Sequence, residues 1–287
     1  MIDVIIPLYN AKDTLEKTLI SLNLQTIKEH LKIYLIDDSG VDNYDAIINN
    51  FSSLNIVYHR LRENKGPGLA RQEGIQISNS EYITFIDADD YLYDADSMRF
   101  LFDGIKEGYD YVSGYTFDEK RYLNINNPSD LHGKIYRRSF LEKNNIKFNE
   151  TRFHEDNYFN NLVLMLSPKI KELEYCVYIY RYNKNSITNL DNENEFLRLE
   201  LLIYNLHNLV LEGLNRNCNH ELIYKIIYDK VGYFNIVYQK MSDEHQKQFI
   251  YWLEKYNFNI HKYLKLDVKE IKIEEIKKDF DFKKIKD

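Results

Sequence analysis

Short apolar runs alternate with amphipathic stretches through the first third of the chain. Val4-Ile5-Ile6 is an unbroken apolar run that stops at Pro7, the pattern of a strand buried on both faces. Leu15, Leu19 and Leu22 then recur at helical spacing over residues 12–24. Ile33-Tyr34-Leu35-Ile36 predicts a second strand, residues 43–51 a short helix, and Leu54 to Tyr58 a third strand. Asn64-Lys65-Gly66-Pro67-Gly68 forms a loop that opens a helix through Ile77, and Tyr82 to Ile86 predicts a fourth strand. This alternation predicts an α/β fold, a mostly parallel sheet flanked by helices. Ligands of such sheets sit beyond the carboxyl ends of the strands. The polar residues gather there: Tyr9-Asn10, Asp37-Asp38 and Asp87 to Asp90.

The middle of the chain is mixed. Tyr109 to Thr116 and Ile170 to Tyr182 read as extended, the second with Val177 and Ile179 facing inward. Tyr136 to Lys143 and Glu155 to Met165 read as helices. Beyond about residue 191 the pattern turns helical. Residues 193–257 predict three helices with core stripes such as Phe196, Leu199, Leu202, Ile203 and Leu206. The tail from Lys262 to Asp287 mixes lysine with acidic residues and predicts a solvated helix, with a partner or a membrane surface as the alternative. The chain therefore divides into residues 1–190 and a helical extension over 191–287, whose helices offer a route to oligomers.

Composition narrows the function classes. The 287 residues carry 38 basic against 45 acidic side chains, a net charge of -7, which disfavours a nucleic-acid partner. Cys176 and Cys218 are the two cysteines, far apart, so neither a disulfide framework nor a cysteine zinc site is expected. No apolar stretch approaches the roughly 18 residues of a membrane span, and the opening strand-like run lacks a signal-peptide pattern. A cytoplasmic location is expected. The 25 tyrosines read mainly as half-buried packing, each with an apolar face and a polar tip.

Four constellations could carry chemistry. Asp87-Ala88-Asp89-Asp90 places three carboxylates on one turn, which a divalent cation would relieve; Mg²⁺ and Mn²⁺ take oxygen ligands and let phosphates complete the shell. A solvated turn or a helix cap is the bland reading. Asp37-Asp38 could accept from a base N–H or a ribose hydroxyl, or cap a helix. Glu63 to Arg71 offers Gly66 and Gly68 for close backbone approach, with Lys65 and Arg71 as positive charge for phosphate. It is not a Walker loop, and no G-x-G-x-x-G follows the first strand. Glu155-Asp156 could serve helix-dipole capping or general-base work, with Asp156 the better base if it faces the same cleft as Asp89. His154 could be a ligand or structural.

Taken in order, Ile5-Ile6-Pro7-Leu8-Tyr9-Asn10, Ile36-Asp37-Asp38-Ser39, Asn64-Lys65-Gly66-Pro67-Gly68 with Ala70-Arg71, Phe85-Ile86-Asp87-Ala88-Asp89-Asp90 and Glu155-Asp156 resemble the inverting family 2 glycosyltransferases of the GT-A fold. The resemblance covers roughly residues 1–185 and is specific because five modest pieces keep family-like order and gaps. Gly133 to Ser139 and Arg181 to Thr188 add to it. It implies a nucleotide-binding half over 1–90 and an acceptor-side half over 91–190. It implies a hexosyltransferase moving a sugar from a nucleotide diphosphate, UDP most frequently, to a hydroxyl of a bacterial or phage-related surface glycan. The protein would work in the cytoplasm or peripherally on the inner face of the membrane.

The implied roles follow position. Pro7 and Tyr9 border the base, Asp38 hydrogen-bonds it, and Asn64, Lys65, Gly66 and Arg71 line the nucleotide site. Asp87, with Ala88 beside it, holds the ribose or donor sugar. Asp89, with Asp87, binds Mn²⁺ or Mg²⁺. Asp156 takes the acceptor proton, Glu155 positions acceptor or base, and Arg181 and Ser186 contact phosphates. The Gln-x-x-Arg-Trp motif of processive synthases is missing, since the one Trp is Trp252. Alternatives are a non-catalytic nucleotide- or carbohydrate-binding module and a sugar nucleotidyltransferase. The latter lacks its Gly-rich loop after the first strand here. An enzyme glycosylating modified DNA is disfavoured by the acidic charge.

Overall fold

The computed structural model describes residues 1–182, 192–266, 268–280, 282 and 285. They group into two compact units, Met1–Val163 with Ser167–Asn189 and Leu164–Leu166 with Leu190–Asp287.

The first unit is built on one nine-stranded sheet. Half of it is parallel: β1 (Ile2–Leu8), β2 (Leu31–Asp37), β3 (Asn55–Arg60) and β4 (Tyr82–Phe85), in the order β3-β2-β1-β4. Helices α1 (Lys12–Asn23), α2 (Asp45–Asn49) and α3 (Pro67–Ile77) make the crossovers. Leu15, Leu19 and Leu22 of α1 are fully buried in the core with Val4, Ile6, Ile33 and Leu35. Truncating any of these leucines to alanine should cost about 2–5 kcal/mol.

The chain continues through β5 (Tyr91–Leu92), α4 (Ser97–Lys106), β6 (Tyr111–Asp118), β7 (Leu123–Ile125), β8 (Lys134–Arg137), α5 (Arg138–Lys143), α6 (Glu155–Met165) and β9 (Ile170–Tyr180). The sheet order continues β4-β8-β6-β9-β5, with β7 on β6. Here β8 runs antiparallel to β4 and β6, and β9 runs parallel to β6. The half predicted as parallel is parallel, and the second half makes the sheet mixed.

Two local readings change. Tyr136 and Arg137 belong to a strand, paired with Ile83 and Tyr82, and the helix begins at Arg138. Pro7 does not stop β1, which runs on to Leu8. β4 pairs with β1 only as far as Ile5↔Phe85. Beyond Ile5 that side of β1 has no ladder for a proline to break. The sheet therefore opens at the carboxyl ends of β1 and β4.

A buried ion pair ties this unit together far from those ends. Asp3 is fully buried and accepts from Ser80 N (2.6 Å), Ser80 Oγ (2.7 Å) and Arg138 Nη2 (2.8 Å). Arg138 also donates to the carbonyls of Ser80 and Ile75 and to Ser78 Oγ.

The second unit contains α7 (Asn192–Asn215), α8 (His220–Tyr238), α9 (Asp243–Lys255), short 3-10 turns at His261–Lys265 and Val268–Glu270, and α10 (Ile273–Asp279). Asn219 and Ser242 cap α8 and α9 through their side chains. The tail is not one solvated helix. Tyr263, Leu264, Ile271, Ile276 and Phe280 are buried, and Asn235 of α8 donates to the carbonyls of Tyr263 and Leu266. Apolar residues spaced between the lysines lie on separate short pieces, each packed inward. No helix among the described residues is long and apolar enough to cross a membrane.

Candidate functional site

The parallel register Leu8↔Asp37 brings the ends of β1 and β2 together, and Asp38 N donates to Leu8 O at 2.8 Å. Pro7 is half-buried and Tyr9 is 54% exposed, an aromatic face open to a ligand. Asp37 is buried inside its own turn, accepting from Gly40 N (3.1 Å) and Tyr58 Oη (2.6 Å). Asp38 reaches across to the next loop. Its two oxygens accept from Lys65 N (2.7 Å) and Gly66 N (2.8 Å). Burial raises the Asp38 pKa against those two bonds. A carboxylate has about four acceptor sites, so this one can fix the loop and still receive a ligand donor. Gly66, at φ 87°, takes a conformation that favours glycine. Asn64 is half-buried and Lys65 exposed on the same loop.

The acidic turn follows β4. Thr18 of α1 points its hydroxyl at the carbonyls of Ala88 and Asp90 (3.0 and 2.7 Å), and Asp90 N closes the turn onto Asp87 O at 3.0 Å. Asp87 Oδ1 accepts from Arg71 Nη2 at 2.6 Å, and Asp87 Oδ2 lies 3.4 Å from His132 Nε2. Asp90 is buried. It accepts from Tyr178 Oη (2.9 Å) and Arg181 N (2.8 Å) and lies 3.8 Å from His132 Nε2. Tyr178 Oη also accepts from Asp87 N at 3.1 Å, while its ring stacks on His132 at 5.0 Å.

Two carboxylates, an imidazole and a guanidinium crowd together here. Burial pushes Asp87 up, but Arg71 and His132 outweigh it and hold its carboxyl well below the ordinary range. Burial, with Asp87 and Asp89 nearby, pushes Asp90 well up despite His132. Burial alone would lower His132, yet Asp87, Asp130 and Asp90 raise it to about 9.

Ligand atoms of Asp87, Asp90 and His132 all lie within 4.8 Å of one another. Opposed ligands on a Mg²⁺-sized ion with ~2.1 Å bonds stand about 4 Å apart, so a small inward shift lets this set hold one divalent cation. The imidazole favours a transition ion over Mg²⁺. Asp89 is half-buried on the same turn, but this cluster is made by Asp87, Asp90 and His132.

His132 was not singled out from sequence and had no local signal, while Asp90 was read as part of the acidic turn without a ligand role of its own. The antiparallel pairing of β4 with β8 supplies it: continuing the register Thr84↔Ile135 by three residues sets His132 opposite Asp87. Tyr178, on β9, is likewise brought in by sheet order alone.

Glu155 and Asp156 open α6, after His154 at φ 61°. Glu155 is buried and accepts from Arg71 Nη1 at 2.9 Å; Asp156 is half-buried and accepts from Asn157 N at 2.7 Å. Burial, then the neighbouring Asp156, pushes Glu155 up to about 7 against the pull of Arg71. Burial would lower Arg71, but the carboxylates of Asp87 and Glu155 more than compensate, keeping it charged. One guanidinium thus joins the acidic turn to the carboxylate pair. Arg181 is half-buried, with its guanidinium 5.9 Å over the Tyr91 ring. Ser186 lies outside the described residues.

Residues 3–160 match the sequence model of glycosyl transferase family 2. Glycosyltransferase GlyA of Streptococcus pneumoniae serotype 4 is 28% identical over an alignment of 229 positions that covers 67% of this chain and 32% of that protein. Minor teichoic acid biosynthesis protein GgaA of Bacillus subtilis is 27% identical over an alignment of 290 positions that covers 86% of this chain and 64% of that one. The chain thus spans about a third and under two thirds of these relatives. Among solved structures, S. aureus TarS 1-349 in complex with UDP-GlcNAc superposes with a TM-score of 0.73 at 20% identity, covering 88% of this chain and 80% of that one, and shares the fold. With the match spanning more than half of the sequence, and the GT-A architecture and its strand-end carboxylates in place, the chain belongs to glycosyl transferase family 2.

Proposed function

We propose that the chain transfers a sugar, with inversion, from a nucleotide-diphosphate donor to an acceptor hydroxyl of a surface glycan, with a UDP-sugar as the donor. The observation that carries this reading is the Arg71 bridge, which brings the acidic turn after β4 and the carboxylate pair at the head of α6 into one site. The UDP-GlcNAc bound by the S. aureus neighbour supports the donor class, and the teichoic acid relative supports the acceptor class.

In this reading the base lies against Pro7 and Tyr9 and bonds Asp38, and the loop of Asn64, Lys65 and Gly66 borders the nucleotide. Asp87 faces the ribose or donor sugar, beside Ala88, and Arg181 faces the diphosphate. A divalent cation held by Asp87 with Asp89, Asp90 or His132 would neutralise charge growing on the leaving diphosphate. Asp156, the less buried of the carboxylate pair, takes the acceptor proton as the hydroxyl attacks the anomeric carbon.

Asp156→Asn keeps the shape and removes the base. Turnover should fall about 10²–10⁴-fold, while UDP affinity with Mn²⁺, measured by calorimetry, stays unchanged. Nucleoside diphosphate release from a panel of UDP-, GDP- and dTDP-sugars identifies the donor. Wild-type rates in the Asp156→Asn protein, or pyrophosphate as the product, would overturn the proposal.

A further inference from the structure

We infer that Arg71 is a positioning residue for the carboxylate pair and not a nucleotide contact, an inference that rests on the transferase reading above. From sequence, Arg71 reads as positive charge for a phosphate. In the fold it is 5% exposed. Its Nη1 and Nη2 donate to Glu155 (2.9 Å) and Asp87 (2.6 Å), its Nε is enclosed without a hydrogen-bond partner, and its guanidinium carbon lies 5.9 Å from the Phe148 ring centre. A planar fork enclosed by two carboxylates and a ring is a strut between them, with little surface left for a diphosphate.

The helix that carries Arg71 is shaped for the same task. Gly68 lies three residues earlier, on the same helical face. A Cβ there would stand 2.6 Å from Glu155 Cγ and 2.9 Å from Glu155 Cβ. Only glycine lets Glu155 lie that close to α3. Gln72, the next residue, accepts from Phe148 N at 3.0 Å. Gly68, Arg71 and Gln72 therefore grip the segment from Phe148 to Glu155 at three points. Asp156 follows Glu155 directly, so fixing Glu155 fixes where Asp156 is aimed. The close backbone approach that sequence reads at Gly68 is, in the first turn of α3, a seat for the base-side carboxylates.

The test compares kcat and donor KM for the wild type, Arg71→Met, Arg71→Lys, Glu155→Gln, Gly68→Ala and the double variant Arg71→Met/Glu155→Gln. The donor is whichever nucleotide sugar the wild type turns over with Mn²⁺. Displacing a catalytic group by about 1 Å costs on the order of 100-fold in rate. Arg71→Met should therefore lower kcat about 100-fold, with a smaller rise in donor KM because Asp87 also loses its partner. Arg71→Lys should recover part of that loss, since one ammonium reaches one carboxylate. Because Arg71 acts through Glu155, the double variant should fall within about twofold of the worse single variant. Gly68→Ala should lower kcat at least about tenfold by the same displacement and leave UDP affinity intact.

A raised KM with undiminished kcat in Arg71→Met would overturn the inference, as would losses that multiply in the double variant. If circular dichroism shows the Arg71 variants unfolded, Gly68→Ala decides alone, and wild-type kcat there overturns the inference. A wild type that releases nucleoside diphosphate from no donor overturns the transferase reading and this inference with it, an outcome separate from the variant comparisons.

Discussion

Tyr178→Phe deletes one oxygen atom from a side chain that holds the acidic turn at two points. The phenyl ring can keep its stacking on His132 at 5.0 Å. What is lost is the donor to Asp90 Oδ2 (2.9 Å) and the acceptor for Asp87 N–H (3.1 Å). A hydrogen bond to a charged group contributes about 1.5–3 kcal/mol, and a neutral one about 0.5–1.5 kcal/mol. Burial raises the Asp90 pKa, so the neutral figure is the better guide for that bond. Leaving the part-buried Asp87 N–H unpaired adds about 1–3 kcal/mol. The sum is about 1.5–4.5 kcal/mol. For a folding unit of this size each kcal/mol moves Tm by about 2–4 °C, so the fall should be roughly 3–18 °C. Urea unfolding followed by circular dichroism gives the energy, and calorimetry with UDP and Mn²⁺ reads the turn directly, where affinity should drop as well. A stability change below about 0.5 kcal/mol, the scale of an ordinary surface substitution, would refute the claim that Tyr178 holds this turn.

Asp3→Asn tests the buried pair remote from the site. It leaves Arg138 charged, enclosed and without its buried counterion, with the exposed Glu142 carboxylate 3.8 Å away as the one left among the described residues, so stability should fall about 3–5 kcal/mol, while kcat per folded molecule, assayed below the melting range, stays at the wild-type value. Burial of Glu155 gives stability a pH slope. Its pKa is raised from 4.5 to about 7 on folding, so the folded state holds the extra proton between those values. The stability tied to that proton is fully present below about pH 4.5 and is lost as pH rises through about 7, up to about 3 kcal/mol at 1.36 kcal/mol per pKa unit. Urea midpoints across pH 4.5–7 should fall more steeply for the wild type than for Glu155→Gln; parallel curves would refute the assignment.

How much of the site was legible depended on whether a residue's neighbours were close in sequence. Asp38 and the acidic turn could be placed because each directly follows a buried apolar run, and a run of that kind ends where a parallel sheet exposes its ligand edge. Lys65 and Gly66 could be placed on the loop that opens α3. Their hydrogen bonds to Asp38 could not, because these join residues 27 and 28 positions apart. The tail misled for a local reason: lysines mixed with acidic residues resemble a solvated face, and the scattered apolar residues among them gain meaning only when short pieces fold inward separately.

Residues 1–90 determined their own architecture. Alternating strands and helices leave a right-handed parallel sheet as the arrangement that buries both faces of each strand, and this sends Tyr9, Asp38 and Asp87 to one edge. Tertiary structure decided the rest. The antiparallel β4–β8 register set His132 against Asp87, β9 carried Tyr178 to Asp90, and the enclosed Arg71 joined Asp87 to Glu155, which lies 84 residues beyond Arg71 in sequence. The physical reason is that hydrophobic periodicity reports which face of an element is buried, while the partner on that face is chosen by sheet order and packing. That choice made Arg71, a cation read from sequence as a phosphate contact, a strut between two carboxylates.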